Sequence, residues 1–241
     1  MTKDKVTRTN FKEWNEEMAR KYDPDAFHHH PSRLVRYIER KRVRQVLEFL
    51  NCRADEVILE VGCGAGNIME QIIMEQMMSV RLIGIDISNN LLIKAKRRLG
   101  AMQKIVQADA ECLPFPAHSF DKVYCSEVLE HVIDPGRVLE EMRRVLKGEG
   151  IAVISIPNEQ LINKIKLILN KTRAFHLSLS AGKPGGYTSP IRMDDEWHIH
   201  SFDLSFAAKL LKPHFVVHQL AGIPVNFFPL RYVLKCKVRL G

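Results

Sequence analysis

The sequence lacks any apolar run approaching the ~20 residues needed to cross a bilayer, which excludes an integral helical membrane protein. Its first residues, MTKDKVTRTNFKEW, are polar and charged and hold no apolar core of a secretory signal. Cysteine is sparse and scattered. Cys52, Cys63, Cys112, Cys125 and Cys236 form no CxxC pair, and no Cys/His run has zinc-ligand spacing. Neither a disulfide framework nor a metal centre is expected, and a reducing, cytoplasmic location is. Internal repeats and low-complexity tracts are also missing. What remains is a 241-residue chain, long enough for one α/β domain with a full core and a small insertion. With 46% hydrophobic and 27% charged residues, its composition is that of an ordinary globular protein.

One sign of charge does predominate: the formal net charge is +8. Basic residues cluster over Arg33–Arg44, Lys164–Arg173 and Arg231–Arg239. Such clusters attract nucleic acid, anionic lipid or a phosphorylated substrate, and they are equally the solvated faces of helices. The triplet His28, His29, His30 reads as native surface.

Hydrophobic periodicity then organises the chain. Leu34, Val35, Ile38, Val43, Val46, Leu47 and Leu50 recur every three or four positions and predict a helix. Asp55–Val61 and Arg81–Asp86 read as buried strands, each followed by a helix, over Asn67–Met78 and Asn89–Leu99. Lys104–Gln107 and Asp121–Cys125 are the third and fourth strands. A helix opens at Pro135 and runs to Leu146, Lys147–Gly150 reads as a turn, and Ile151–Ile156 is a fifth strand. Repeated strand–helix alternation predicts an α/β fold: a doubly wound, mostly parallel, Rossmann-like sheet with helices on both faces. Its ligand crevice should lie beyond the carboxyl ends of the strands. Further on, Leu161–Phe175 reads as a basic amphipathic helix and Ser178–Glu196 as a long loop. Asp203–Leu211 is a helix, His214–His218 a sixth strand, and Phe227–Leu240 is either strand or helix. Residues 1–50 are expected to form a helical cap and 51–241 the ligand-binding domain, with a cap or lid insertion at about 160–200.

Four motifs fall at the expected crevice. Glu60-Val61-Gly62-Cys63-Gly64-Ala65-Gly66 follows the first strand, where glycines let the backbone turn tightly and approach a ligand. The next helix would aim its free N–H groups at the same place. Asn67 stands where a dinucleotide fold prefers glycine, which argues against an NAD enzyme. Asp86 ends the second strand about 20 residues on, where a carboxylate receives ribose hydroxyls. Asp109, in the stretch Gln107–Pro116, ends the third strand beside apolar Leu113 and Phe115. Ser119–His131 carries the fourth strand and lacks the arrangements that hydrolysis would require.

Together, ILEVGCGAGN, GIDIS, ADAECLPFP, FDKVYCSEVLEHVIDP and RVLKGEGIAVISIPN resemble the class I S-adenosylmethionine-dependent methyltransferases. The similarity is greatest to the small-molecule branch that includes the ubiquinone and menaquinone biosynthesis methyltransferases. It runs from Glu56 to Asn158 in order and at natural spacing, and extends to His30-Pro31-Ser32-Arg33-Leu34. The resemblance implies S-adenosyl-L-methionine as cofactor. By it, Glu60, Gly62 and Gly64 hold the methionine part, Asp86 the ribose, and Asp109 and Ala110 the adenine, with Ile87 a further cofactor-binding residue. Ser126 would border the sulfonium, Arg33 would pair with the carboxylate, and His131 would be a structural histidine.

Methyl transfer is an in-line displacement, so holding acceptor, methyl carbon and sulfur in line supplies much of the rate. An oxygen acceptor must also lose a proton, for which a base is useful. His198 and His200 in Trp197-His198-Ile199-His200-Ser201-Phe202 are the candidates, on one side of the chain if the segment is extended. Bonding to loop backbone is the alternative for both. A metal bound by them with Asp194 or Asp195 is not expected, because no third ligand is firmly placed. The expected acceptor is a small molecule methylated on oxygen or carbon. Basic, amphipathic Leu161–Phe175 and Phe227–Leu240 suit either a lipid-like acceptor at a membrane surface or cap helices over a pocket. The rivals are a nucleic-acid methyltransferase and a methyltransferase-like assembly protein. The first lacks its Asn/Asp-Pro-Pro-aromatic motif, since Cys125-Ser126-Glu127-Val128 stands there and Glu127 would repel phosphate. Intact glycines, Asp86 and Asp109 argue against the second.

Overall fold

The computed structural model describes residues 6–75, 80–100, 104–171 and 197–239. Helix α1 (Phe11–Tyr22), a 3-10 turn (Pro24–Phe27) and α2 (Arg33–Leu50) precede the sheet. There follow β1 (Val57–Val61), α3 (Asn67–Glu75), β2 (Arg81–Asp86), α4 (Asn89–Leu99) and β3 (Lys104–Gln107). The second half holds β4 (Phe120–Ser126), α5 (Pro135–Val145), β5 (Leu146–Pro157), α6 (Glu159–Lys171), α7 (Leu204–Leu211), β6 (Phe215–Val225) and β7 (Phe228–Val238).

The seven strands lie in the order β3-β2-β1-β4-β5-β7-β6. Strands β1 to β5 pair in parallel, and β7 is antiparallel to both of its neighbours. The order reverses between β1 and β4, which opens the crevice of a doubly wound sheet at their carboxyl ends. Side chains alternate across the sheet with period two. Leu59, Val61, Val123, Cys125, Ala152 and Ile154 join one core with Val138, Leu139 and Met142 of α5. Ile58, Tyr124 and Val153 join the other with Val43 and Val46 of α2, Ile72 of α3 and Leu92 of α4. Both faces are covered, as the alternation in the sequence predicts.

A third cluster sits above this frame. Phe11, Trp14, Met18 and Tyr22 of α1 pack with Leu91 and Trp197. Polar ties hold α1 there: Glu16 accepts from Ser88 Oγ at 2.9 Å and from the Asn89 N–H at 2.5 Å, at the start of α4. A carboxylate at a helix N-terminus satisfies otherwise free donors and complements the dipole. Asp25 similarly accepts from Asn67 and Arg98, and Asp23 from Lys94.

Three readings of the sequence change here. Lys147–Gly150 is part of β5 rather than a turn; the ladder shifts register between Phe120 and Lys122, so its glycines mark a bulge. The sixth strand is longer than His214–His218, running over Phe215–Val225 as a largely exposed edge without an apolar alternation. The ambiguous carboxyl segment is a strand, β7, because it fills the gap between β5 and β6. Ser178–Glu196 lies outside the described residues, as do Asp194, Asp195 and most of the expected insertion at 160–200.

Candidate active site

The glycine loop leaves β1 with Gly62, Gly64 and Gly66 all at positive φ. Two of the three serve packing: a Cβ on Gly62 would stand 2.3 Å from Val128 Cγ2, and one on Gly66 2.9 Å from Leu99 Cδ1. A Cβ on Gly64 would meet nothing within 4 Å, so the space beside it is open. The Gly64 N–H donates to Asp86 Oδ2 at 2.8 Å, and the Ser88 N–H donates to Oδ1 at 2.8 Å. Burial pushes Asp86 up to about 6, against the pull of those N–H donors. Beyond it, the Ala108 N–H donates to the Asp86 carbonyl at 3.1 Å and Gln107 Nε2 to the Ile87 carbonyl at 2.9 Å. These bonds set Asp109 and Ala110 beside Ile87. Asp109 is half-buried and accepts from the Glu111 N–H at 2.9 Å. Gly64, Asp86, Ile87, Asp109 and Ala110 thus share one rim across the ends of β1, β2 and β3.

Glu60 and Ser126 lie deeper. Glu60 is buried and accepts from the Tyr124 hydroxyl at 2.9 Å, and burial pushes it up to about 8. Ser126 ends β4, with its Oγ 2.8 Å from Ser155 Oγ, and it accepts from the Arg42 guanidinium. Arg42 is itself buried and also clasps Glu39 through two nitrogens. Burial alone would raise Glu39, but Arg42 overrides it and holds the carboxyl down at about 2. Ser155 Oγ donates to Glu127 Oε1 at 2.9 Å, and Arg231 Nε to Glu127 Oε2 at 2.8 Å. Glu127 is therefore held by one hydrogen bond and one ion pair.

Arg33 is placed elsewhere. It is exposed at the first turn of α2, about 13 Å along the axis from Arg42. Arg36 lines a cleft of about 230 Å³ with His28, Glu39 and Asn67, while donating to the carbonyls of His30 and Pro31. Sequence reasoning passed over Arg42 because it sits in a basic row. A signal was present: Ile38, Glu39, Arg42, Val43 and Val46 share one buried helix face.

The two candidate histidines do not share a side, because their segment is not extended. The N–H groups of Ile199 and His200 both donate to the Glu130 carbonyl, at 2.8 and 3.2 Å, so the chain curls around it. His200 Nε2 donates to the Ile133 carbonyl at 3.0 Å. His198 is buried and its Nδ1 donates to Glu159 Oε1 at 2.6 Å. Burial would raise Glu159, but bonds from His198 and Ser201 hold it below the usual range. His131 lies against His198, with ring centroids 4.8 Å apart, and its Nδ1 donates to the Trp197 carbonyl at 3.2 Å. Burial holds His131 well below its ordinary value, and pushes Glu130, with Glu127 nearby, up to about 8.

Comparison with known proteins matches residues 59–154 to a family described as a methyltransferase domain. A demethylmenaquinone methyltransferase of Thermotoga maritima is 30% identical over 193 residues, covering 79% of each chain. A ubiquinone biosynthesis O-methyltransferase of Bradyrhizobium diazoefficiens is 34% identical over 45% of this chain and 43% of its own. An uncharacterised 37.1 kDa protein of a Streptomyces fradiae transposon is 34% identical over 115 residues, and the match spans a third of that protein. Among solved structures, the N-methyltransferase NodS of Bradyrhizobium japonicum, in complex with S-adenosyl-L-homocysteine, superposes with a TM-score of 0.64. The match covers 96% of this chain and 99% of that one at 16% identity, a likeness of fold.

Proposed function

We propose, from the premise that this chain belongs to the class I S-adenosylmethionine-dependent methyltransferases, that it methylates a small, amphiphilic acceptor on oxygen or carbon. Its cofactor is S-adenosylmethionine, which supplies an electrophilic methyl group on a sulfonium. The residues present fit that group. A carboxylate at Asp86 offers acceptor oxygens for a vicinal diol, and the open space at Gly64 lets a ligand approach the loop backbone closely. The open space at Gly64 beside the buried Asp86 carboxylate is the observation that carries the reading.

On it, Asp86 with Ile87 takes the ribose, Asp109 and Ala110 the adenine, and Glu60, Gly62 and Gly64 the methionine part. Ser126, already oriented by Arg42 and Ser155, borders the reacting centre. Arg33, proposed as the carboxylate partner, is exposed at the first turn of α2, and Arg36, one turn on, lines a cleft with Asn67 at the start of α3. Of the two histidines, the geometry favours His198 on the acceptor side. With Nδ1 bonded to Glu159, its Nε2 carries a lone pair available to a hydroxyl proton or a cation. His200 spends its Nε2 on a carbonyl and positions the turn.

Two features support an amphiphilic acceptor. Leu167 and Ile168 of α6, which follow Lys164 and Lys166, and Phe227 and Phe228 at the β6–β7 turn are exposed apolar residues. The Thermotoga relative is named for demethylmenaquinone, and an amphiphilic acceptor is one that such a surface suits. No helix among the described residues is long and apolar enough to cross a membrane, so contact with lipid would be peripheral. The test is transfer of labelled methyl from S-adenosylmethionine to cell extracts separated into lipid, polar-metabolite and RNA fractions. Label in the lipid fraction is expected; label confined to RNA would overturn the assignment.

A further inference from the structure

The turn after β4 gathers three groups that the cofactor site does not use. Glu130, His131 and His198 each present a ligand-capable atom, and these atoms lie within 4.8 Å of one another. They come from two segments separated in sequence, brought together where the Ile199 N–H bonds the Glu130 carbonyl. Metal ligation is one reason for such a meeting, but a cluster alone does not establish it. A second observation does point to a ligand: Glu130 is 1% exposed, and its Oε2 has no hydrogen-bond partner. Buried carboxylate oxygens are nearly always paired.

The histidines are also prepared in the way metal ligands are. His131 Nδ1 donates to the Trp197 carbonyl and His198 Nδ1 to the Glu159 carboxylate. Each bond fixes the tautomer and leaves Nε2 unprotonated, the arrangement that orients imidazole ligands and raises their basicity. Glu159 is then the carboxylate behind the ligand. Glu127, close in sequence, is committed to Ser155 and Arg231 and stays out of the set.

From these contacts we infer that Glu130, His131 and His198 form a binding site for a divalent transition-metal cation of the Zn²⁺ or Co²⁺ class. Two nitrogens and one carboxylate oxygen are a borderline-soft donor set that suits such ions over Mg²⁺ or Ca²⁺. The side chains need to close in by less than about 1 Å to reach bonds of ~2.0–2.2 Å. Three protein ligands leave an open position for water or an oxygen of the acceptor. The catalytic use of that position rests on the methyl-transfer reading above. A hydroxyl held there loses its proton to solvent, and its oxygen bonds the methyl carbon as the carbon–sulfur bond breaks. The products are the methyl ether, S-adenosylhomocysteine and one proton.

The test uses the full chain, stripped with a chelator and dialysed, and titrated with Co²⁺ while the visible absorption is followed. One equivalent should bind, and excess Zn²⁺ should displace it. Glu130→Gln and His198→Ala should abolish the band, and Glu159→Gln, acting through His198, should weaken binding ~10–100-fold. His29→Ala, in the exposed triplet, should keep it. A wild-type chain that binds no Co²⁺ overturns the proposal even if the variants fail to fold. So does a band lost in His29→Ala and kept in Glu130→Gln and His198→Ala. S-adenosylhomocysteine binding, measured on the same samples, reports separately on the methyl-transfer reading: its failure would sink that reading and leave the metal site standing.

Discussion

Arg42 and Ser126 stand 84 residues apart, yet the Arg42 guanidinium donates to the Ser126 hydroxyl at the end of β4. The contact ties α2, which covers the sheet, to the carboxyl end of β4. Because Arg42 also clasps Glu39, the hydroxyl is held by a charge that cannot move independently.

Breaking the Glu39–Arg42 pair from one side should be costly. Arg42→Ala would leave the Glu39 carboxylate buried and unpaired, a loss of about 3–5 kcal/mol in urea unfolding. Glu39→Gln combined with Arg42→Met should recover much of it. The pair also sets a pH dependence. Glu39 is held at about 2 against an ordinary 4.5, so its contribution is complete above pH 4.5 and lost as pH falls towards 2. A melting temperature unchanged over that window in wild type, relative to the double variant, would contradict the assignment.

The glycines of the loop should separate by function. Gly64→Ala meets no neighbour, so it should fold with a penalty of ~1–2 kcal/mol from its positive φ. It should nevertheless lose S-adenosylhomocysteine affinity, since the methyl occupies the open space. Gly62→Ala drives a Cβ into Val128 and should lose more stability. Thermal melts and ligand titrations on the two variants check the contrast, and equal ligand affinity for Gly64→Ala and wild type would remove Gly64 from the site.

Asp86 gives the site its own pH response. Its carboxyl is raised to about 6 in the folded chain against an ordinary 3.8, so between those values the folded state holds the extra proton. The unliganded fold therefore gains no stability from Asp86 ionising, and loses some as pH rises through about 6. On the proposed ribose role of Asp86, ligand affinity should run the other way, because the ionised carboxylate is the better acceptor for the two hydroxyls. S-adenosylhomocysteine should bind more weakly as pH falls below about 6, and Asp86→Asn should flatten that limb in a calorimetric series.

Strands β1, β2, β4 and β5 were legible in the sequence because burial on both faces gives them largely apolar runs. β6 was legible only at its start, His214–His218, since an exposed edge keeps polar residues such as His218 and Gln219 inside the strand. The convergence of the proposed rim residues was legible for a related reason. Gly62, Gly64, Asp86 and Asp109 stand at strand ends, and strand ends converge in this topology. The contacts of Arg42 and of Glu159, the partner of His198, depend on which elements meet in space, and periodicity carries no such information. The pairing of His198 with His200 failed because one carbonyl, that of Glu130, bends their segment.

The basic surface provides a check against the nucleic-acid alternative. With Arg42, Arg98, Arg144 and Arg231 all engaged in ion pairs, the net charge overstates what is free to meet phosphate. RNA binding should be weak at physiological salt and fall steeply as salt rises. Labelled methyl recovered in RNA from the same cells would overturn the small-molecule acceptor.

The most direct test of the account is calorimetric titration of S-adenosylhomocysteine into the wild-type chain and Asp86→Ala. One site per chain is predicted for wild type. Loss of charge-assisted hydrogen bonds worth about 1.5–3 kcal/mol each should weaken Asp86→Ala by roughly one to several powers of ten. Equal affinity in the two proteins, or no binding to wild type, would contradict the central claim.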